Sequence, residues 1–133
     1  MSAPALATVG LRAHQSAGVG KELIVELWDP TGVDLTDKDA IRAVLRRAAK
    51  KSGSTVIRSY FHTLPHPSGI TGFLLLKESH ISIHTWPEYG YAALDFFTCG
   101  RADSYKALEE VEHAFRPRRV SVTEIVRGIQ EPD

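Results

Sequence analysis

Lys77-Glu78-Ser79-His80-Ile81-Ser82-Ile83-His84-Thr85-Trp86-Pro87-Glu88 carries more chemistry than any other stretch of this chain. Ile81 and Ile83 alternate with His80, Ser82 and His84. That is the period of a β-strand, so the polar residues share one face. A buried face of His, Ser and His is costly unless each group finds a partner, and it points to chemistry or to a polar network. Eleven residues after Glu88 comes Cys99, the chain's only cysteine, within Phe96-Phe97-Thr98-Cys99-Gly100. Imidazole moves protons near neutral pH, a thiol can give and regain one, and a serine hydroxyl is a nucleophile once activated.

Several kinds of site could use these residues. His80 and His84, with Cys99, His62 and His66, are zinc-type ligands, but neither Cys-x-x-Cys nor His-Glu-x-x-His spacing is present. The expectation is therefore no metal. A serine hydrolase would need an oriented Ser-His-acid set, and no Gly-x-Ser-x-Gly elbow occurs. Read singly, Ser79 is a polar residue opening a strand, Thr71 a strand threonine and Cys99 a small buried hydrophobe. His84 alone is a core histidine, Trp86 a core or interface aromatic, and Glu26 and Glu88 are solvated carboxylates.

The flanking pattern predicts what holds these groups. Residues 21–28 read as a strand with Leu23, Val25 and Leu27 on one face and Glu22, Ile24, Glu26 and Trp28 on the other. Thr36, with Asp39 three residues on, is expected to cap a helix. Ile41, Val44, Leu45 and Ala48 recur in it at helical spacing, and Gly53 ends it. Residues 55–61, 70–76, 79–85 and 91–98 read as four strands, with a loop holding Pro65 and Pro67 after the first of them. Residues 73–76 are all apolar, so that strand is expected to be buried on both faces. Ser104 is expected to cap a second helix bearing Leu108, Val111 and Phe115, stopped by Pro117, before a last strand around Val120–Val126. The order β-α-β-β-β-β-α-β with short central links predicts an α+β fold, a two-layer sandwich with an antiparallel sheet covered by two helices. Residues 20–133 form one domain, and residues 1–19 read as a mobile tail without the pattern of a signal peptide.

Bulk composition narrows the function classes. The 133 residues suffice for one core, and 43% hydrophobic with 24% charged content is ordinary for a globular domain. Lys+Arg and Asp+Glu are 16 each, so the zero formal charge supplies no attraction to nucleic acid or to an anionic membrane. No apolar run approaches the roughly 20 residues that span a bilayer. A lone cysteine makes no internal disulfide, and a reducing cytoplasmic compartment is the expectation.

Glu-Ser-His-x-x-x-His-Thr-Trp-Pro-Glu followed by Phe-Thr-Cys-Gly resembles the prokaryotic S-adenosylmethionine decarboxylase family, whose members are pyruvoyl enzymes that cut their own chain. The resemblance runs over residues 20–127. It implies the same α+β architecture, a homodimer, and a cut between Glu78 and Ser79 that gives a β chain of residues 1–78 and an α chain of 79–133. Ser79 would become the covalent pyruvoyl group, which forms a Schiff base with the substrate amine and acts as the electron sink that side chains lack. By the same resemblance His84 is the processing base, Thr71 the processing hydroxyl and Cys99 the proton donor. Trp86 would stack on adenine, Glu88 would bind ribose hydroxyls, and Glu26 would sit near the cationic end of the substrate.

Two departures concern the substrate. Where the family has a second adenine-stacking aromatic, this chain has Leu64-Pro65, and Trp28 is a candidate replacement. Glu22 stands where a histidine is common. The leading activity is decarboxylation of S-adenosylmethionine in spermidine biosynthesis, the alternative decarboxylation of arginine or ornithine. From another class comes an uncleaved, non-catalytic partner of an active paralogue.

Overall fold

The computed structural model describes residues 18–130 and the backbone of Ala5–Leu6. Residues 1–4 and 7–17, most of the expected tail, lie outside the described residues. In chain order the elements are β1 (Ala5–Leu6), β2 (Gly20–Trp28), α1 (Lys38–Ser52), β3 (Thr55–Thr63), β4 (Ile70–Lys77), β5 (Ser79–Trp86), β6 (Tyr91–Cys99), α2 (Ser104–Phe115) and β7 (Arg119–Arg127). A single 3-10 turn, Pro87–Tyr89, joins β5 to β6.

All strands lie in one sheet in the order β1-β7-β2-β6-β5-β4-β3. The six long strands pair antiparallel, while the two-residue β1 runs parallel to β7. β1 is an addition to the expected order, since two residues carry no readable period. β3–β4–β5–β6 is a meander, with the single residue Glu78 between β4 and β5 and a loop of residues 64–69 between β3 and β4. The first helix carries the chain from β2 to the β3 edge, and the second carries it from β6 back to β7.

Both helices lie on one face of the sheet and pack on each other. Leu23, Leu27, Ile81, Ile83 and Phe96 from the sheet, with Ile41, Leu45 and Phe115 from the helices, are fully buried. Each such side chain contributes about 1.5–3 kcal/mol, against roughly 1 kcal/mol for a helix cap. The apolar layer therefore decides where the helices lie, and the caps only trim their ends.

The caps differ from expectation. Asp37, not Thr36, caps α1, accepting from the Ala40 amide at 3.0 Å. Thr36 is already committed, because its amide and hydroxyl both donate to Asp34, at 2.9 and 2.7 Å. Those two bonds hold the Asp34 carboxyl below the usual range. Likewise Asp103 caps α2 through the Tyr105 amide at 3.0 Å, and Ser104 is the first helical residue, 2% exposed.

β4 is not buried on both faces. Leu74 and Leu76 are buried under the helices, but Phe73 and Leu75 are each 41% exposed. The same holds on β5, where His80 and Ser82 are half-buried and His84 is exposed. Two helices can cover only one face, so the opposite face is open, with Tyr60, Phe73 and Leu75 among its exposed side chains. At the outer edge, β3 bulges at Ile57, where the register slips between Val56 and Arg58.

Gly72 shows how tightly β4 is set. A Cβ there would overlap the ring of Phe61, its partner on β3. Gly72→Ala is expected to lower stability by about 1–3 kcal/mol, read as a shift of the urea midpoint; an unshifted midpoint would show that Phe61 yields freely.

Candidate active site

Ser79 stands where β4 has ended and β5 begins, with Glu78 as the single residue between them. Its hydroxyl donates to the carbonyl oxygen of Glu78 and lies 3.5 Å from the Cys99 sulfur. Cys99 reaches this point because it is the last residue of β6, and the β5–β6 register pairs Phe97 with His80. Twenty residues of chain separate the two groups, and one hairpin joins them. A cavity of about 650 Å³ opens beside Cys99, with Lys21, Arg101 and Glu124 on its walls. Glu22, nearby on β2, is taken by Arg127 at 3.1 Å.

A second group forms at the other end of β5. Thr71 on β4 is the register partner of His84 on β5, and the hydroxyl lies 3.2 Å from the imidazole Nδ1. Trp86 follows on the same face, its ring 6.3 Å from that of His84. Glu88 sits in the 3-10 turn immediately after. Across from them runs the loop with Leu64, Pro65 and Pro67, leaving a cavity of about 170 Å³ lined also by Thr71, His84, Trp86 and Glu88. The loop side of this cavity holds no aromatic ring.

Glu26 joins this end through a residue that the sequence reading missed. Tyr91, the first residue of β6, is the register partner of both Trp28 and Trp86. Its ring centroid is 4.5 Å from Trp28 and 5.3 Å from Trp86, and its hydroxyl donates to Glu26 Oε1. Trp28 thus lies beyond Tyr91 from Trp86, under the Arg119 guanidinium at 5.0 Å. That placement does not let it serve as a second stacking aromatic opposite Trp86. The alternation Tyr91, Ala93, Asp95 would have revealed the contact once the tight turn at Gly90 set the register. His62, His66, His80, His84 and Cys99 do not gather: among the described residues no three His, Cys, Asp or Glu converge as a metal site. No helix among them is long and apolar enough to cross a membrane.

The structure therefore makes two half-sites. Ser79 and His84 are five positions apart on one strand, and a rise of 3.2–3.4 Å per residue separates them by about 16 Å. Within one chain they do not meet.

The sheet with both helices on one face defines a two-layer α+β sandwich. The profile of S-adenosylmethionine decarboxylase matches residues 21–128. An S-adenosylmethionine decarboxylase proenzyme from Methanococcus maripaludis is 43% identical over 116 residues, covering 86% of this chain and 94% of that protein. One from Thermotoga petrophila is 41% identical over 111 residues, covering 83% and 85%. The crystal structure of the adenosylmethionine decarboxylase from Aquifex aeolicus VF5 superposes with a TM-score of 0.79 at 34% identity, covering 89% of this chain and 98% of that one. The chain belongs to the S-adenosylmethionine decarboxylase family.

Burial first, then the hydrogen bond to Glu26 and its negative charge, push the Tyr91 phenol from 10.0 up to about 12. The folded protein thus keeps a proton that the unfolded chain sheds near pH 10. This contribution to stability is full below pH 10 and is lost as pH rises through about 12. The tyrosinate absorbance that disappears on Tyr91→Phe substitution should have its midpoint near 12, and Glu26→Gln should lower it. A midpoint at the ordinary value would contradict the contact.

Proposed function

We propose that the chain is a proenzyme that cuts itself between Glu78 and Ser79 and then works as a pyruvoyl-dependent decarboxylase of S-adenosylmethionine. The observation that carries this reading is the Ser79 hydroxyl held against the carbonyl of the residue it would cut from. Attack of Oγ on the Glu78 carbonyl carbon forms a C–O bond, breaks the C–N bond and passes the hydroxyl proton to the nitrogen. The peptide becomes an ester. Removal of the Ser79 α-proton by His84 then expels Glu78 as a carboxylate; the remaining dehydroalanine tautomerises to an imine, and water adds to it and releases the nitrogen as ammonia, leaving the pyruvoyl ketone. Thr71, bonded to His84, fits the hydroxyl that steadies the ester.

The pyruvoyl group so made would supply the electron sink for the bond pair left when the substrate carboxylate departs as CO₂. The Cys99 sulfur, 3.5 Å from the Ser79 hydroxyl, supports its reading as the proton donor to that carbon. Trp86 would stack on adenine, Glu88 would bind the ribose hydroxyls, and Glu26 would face the sulfonium or amine. The decarboxylated product would serve as the aminopropyl donor of spermidine synthesis. A working thiol needs a reducing compartment, which supports a cytoplasmic location.

The roughly 16 Å of strand between Ser79 and His84 supports a homodimer. A twofold axis crossing the open face near the middle of β5 would reverse the strand of one copy over that of the other. Ser79 and Cys99 of each chain would then approach Thr71, His84 and Trp86 of its partner, and the contact would cover Phe73 and Leu75. Such an interface is self-complementary and builds two equal sites.

A second substrate reading has one observation behind it, the absence of an aromatic on the loop side of the Trp86 cavity. Arginine or ornithine needs no such ring.

Denaturing intact-mass measurement tests the reading. The wild type should give two fragments meeting at Glu78 and Ser79, with the second blocked at its N-terminus, and decarboxylase assays should favour S-adenosylmethionine over arginine and ornithine. Ser79→Ala and His84→Ala should each remain whole and inactive. Co-expressed, they should regain cleavage of the His84→Ala chain alone, since only a hybrid dimer has one intact composite site. A stable uncut wild type would favour a non-catalytic partner of an active paralogue. An active Ser79→Ala protein would refute the chemistry, and failure of the hybrid would refute the shared site.

A further inference from the structure

Tyr91 has no role in the chemistry above, yet it touches two groups that do. Glu26 is on β2 and Trp86 on β5, with β6 between them. The residue opposite both Glu26 and His84 on β6 is Ala93, so only a methyl group stands in that row. Tyr91 spans the gap. Its hydroxyl donates to Glu26 Oε1, and its ring lies 5.3 Å from Trp86 at 28°. The other side of the ring is held by Trp28 at 4.5 Å, and Trp28 in turn lies under Arg119 at 5.0 Å.

We propose that Tyr91 is a positioning residue: its hydroxyl sets the Glu26 carboxylate and its ring sets the tilt of Trp86, making one preformed surface for a ligand with a cation and a flat heterocycle. The proposal rests on the reading that Glu26 and Trp86 bind substrate. Its physical basis is preorganisation. A carboxylate with one oxygen fixed, and an indole braced from behind, lose less freedom when a ligand arrives. The benefit therefore falls on binding, with no part in bond making.

Three variants separate the two functions of the side chain. Tyr91→Phe keeps the stack and removes the hydroxyl. KM for S-adenosylmethionine should rise about tenfold, the size expected for one charge-assisted hydrogen bond. The value of kcat should change less than about twofold, since the preorganisation lost acts on binding alone. Self-cleavage, and the quench of tryptophan fluorescence by adenosine, should be unaltered. Tyr91→Leu removes the ring and should weaken adenosine as well. In a Glu26→Ala background Tyr91→Phe should add nothing further, because its effect passes through that carboxylate. Near-ultraviolet circular dichroism checks that each variant is folded. An active wild type with unchanged KM in Tyr91→Phe, or an undiminished effect in the Glu26→Ala background, overturns the proposal alone. A wild type that neither binds adenosine nor turns over S-adenosylmethionine overturns the functional reading and the proposal with it.

Discussion

Extended strands fix the distance between their residues more rigidly than loops or side chains can relax it. β5 carries Ser79 at its first position and His84 at its sixth, and the hydrogen-bonded neighbours β4 and β6 hold it straight over that length. Everything else about the site follows from this spacing. Cys99 has to come to the serine end, and the β5–β6 hairpin delivers it. Thr71 has to come to the histidine end, and the β4–β5 pairing delivers that. The helices take no part in either group; they supply the apolar layer that covers one face of the sheet and leave its other face bare.

The bare face reconciles two features that look unrelated. A monomer with Phe73 and Leu75 open to water has unfinished burial. The proposed catalytic set, split across about 16 Å of strand, would be unfinished chemistry in one chain. A second copy laid over the same face would complete both. Ser82 and Asp95, paired in register near the centre of this face, would then lie closest to the symmetry axis.

Much of this was legible in the residues. Period-two alternation located β2, β5 and β7, a β-branched and an apolar run located β3 and β4, and the motif around Ser79 gathered the candidate site residues. What escaped was information that a local pattern does not carry. The apolar run Phe73–Leu76 looks the same whether a sheet is covered on one face or two, and only the side chosen by both helices decides it. Thr36 and Ser104 are sound cap residues in isolation, but each has an aspartate next to it, and the hydroxyl of Thr36 is drawn off by Asp34. Tyr91 is unremarkable until the register places it opposite Trp28 and Trp86 at once. Trp28 was the natural substitute for a missing aromatic, and the same register shows it behind Tyr91, tilted by 31°.

The position of the Glu78–Ser79 bond in the strand order bears on what a cut there would do. Residues before it supply β1, β2, β3 and β4; residues after it supply β5, β6 and β7. In the sheet these alternate, with β7 between β1 and β2, and the β6–β5 pair between β2 and β4. Neither fragment could leave without stripping whole ladders from the other. Breaking the chain would thus remove one covalent link and almost no structure, while making the fold a non-covalent complex of two interleaved pieces. Once unfolded, such pieces would have to find each other again by diffusion, so the cut domain would be durable in use but dependent on concentration to reassemble.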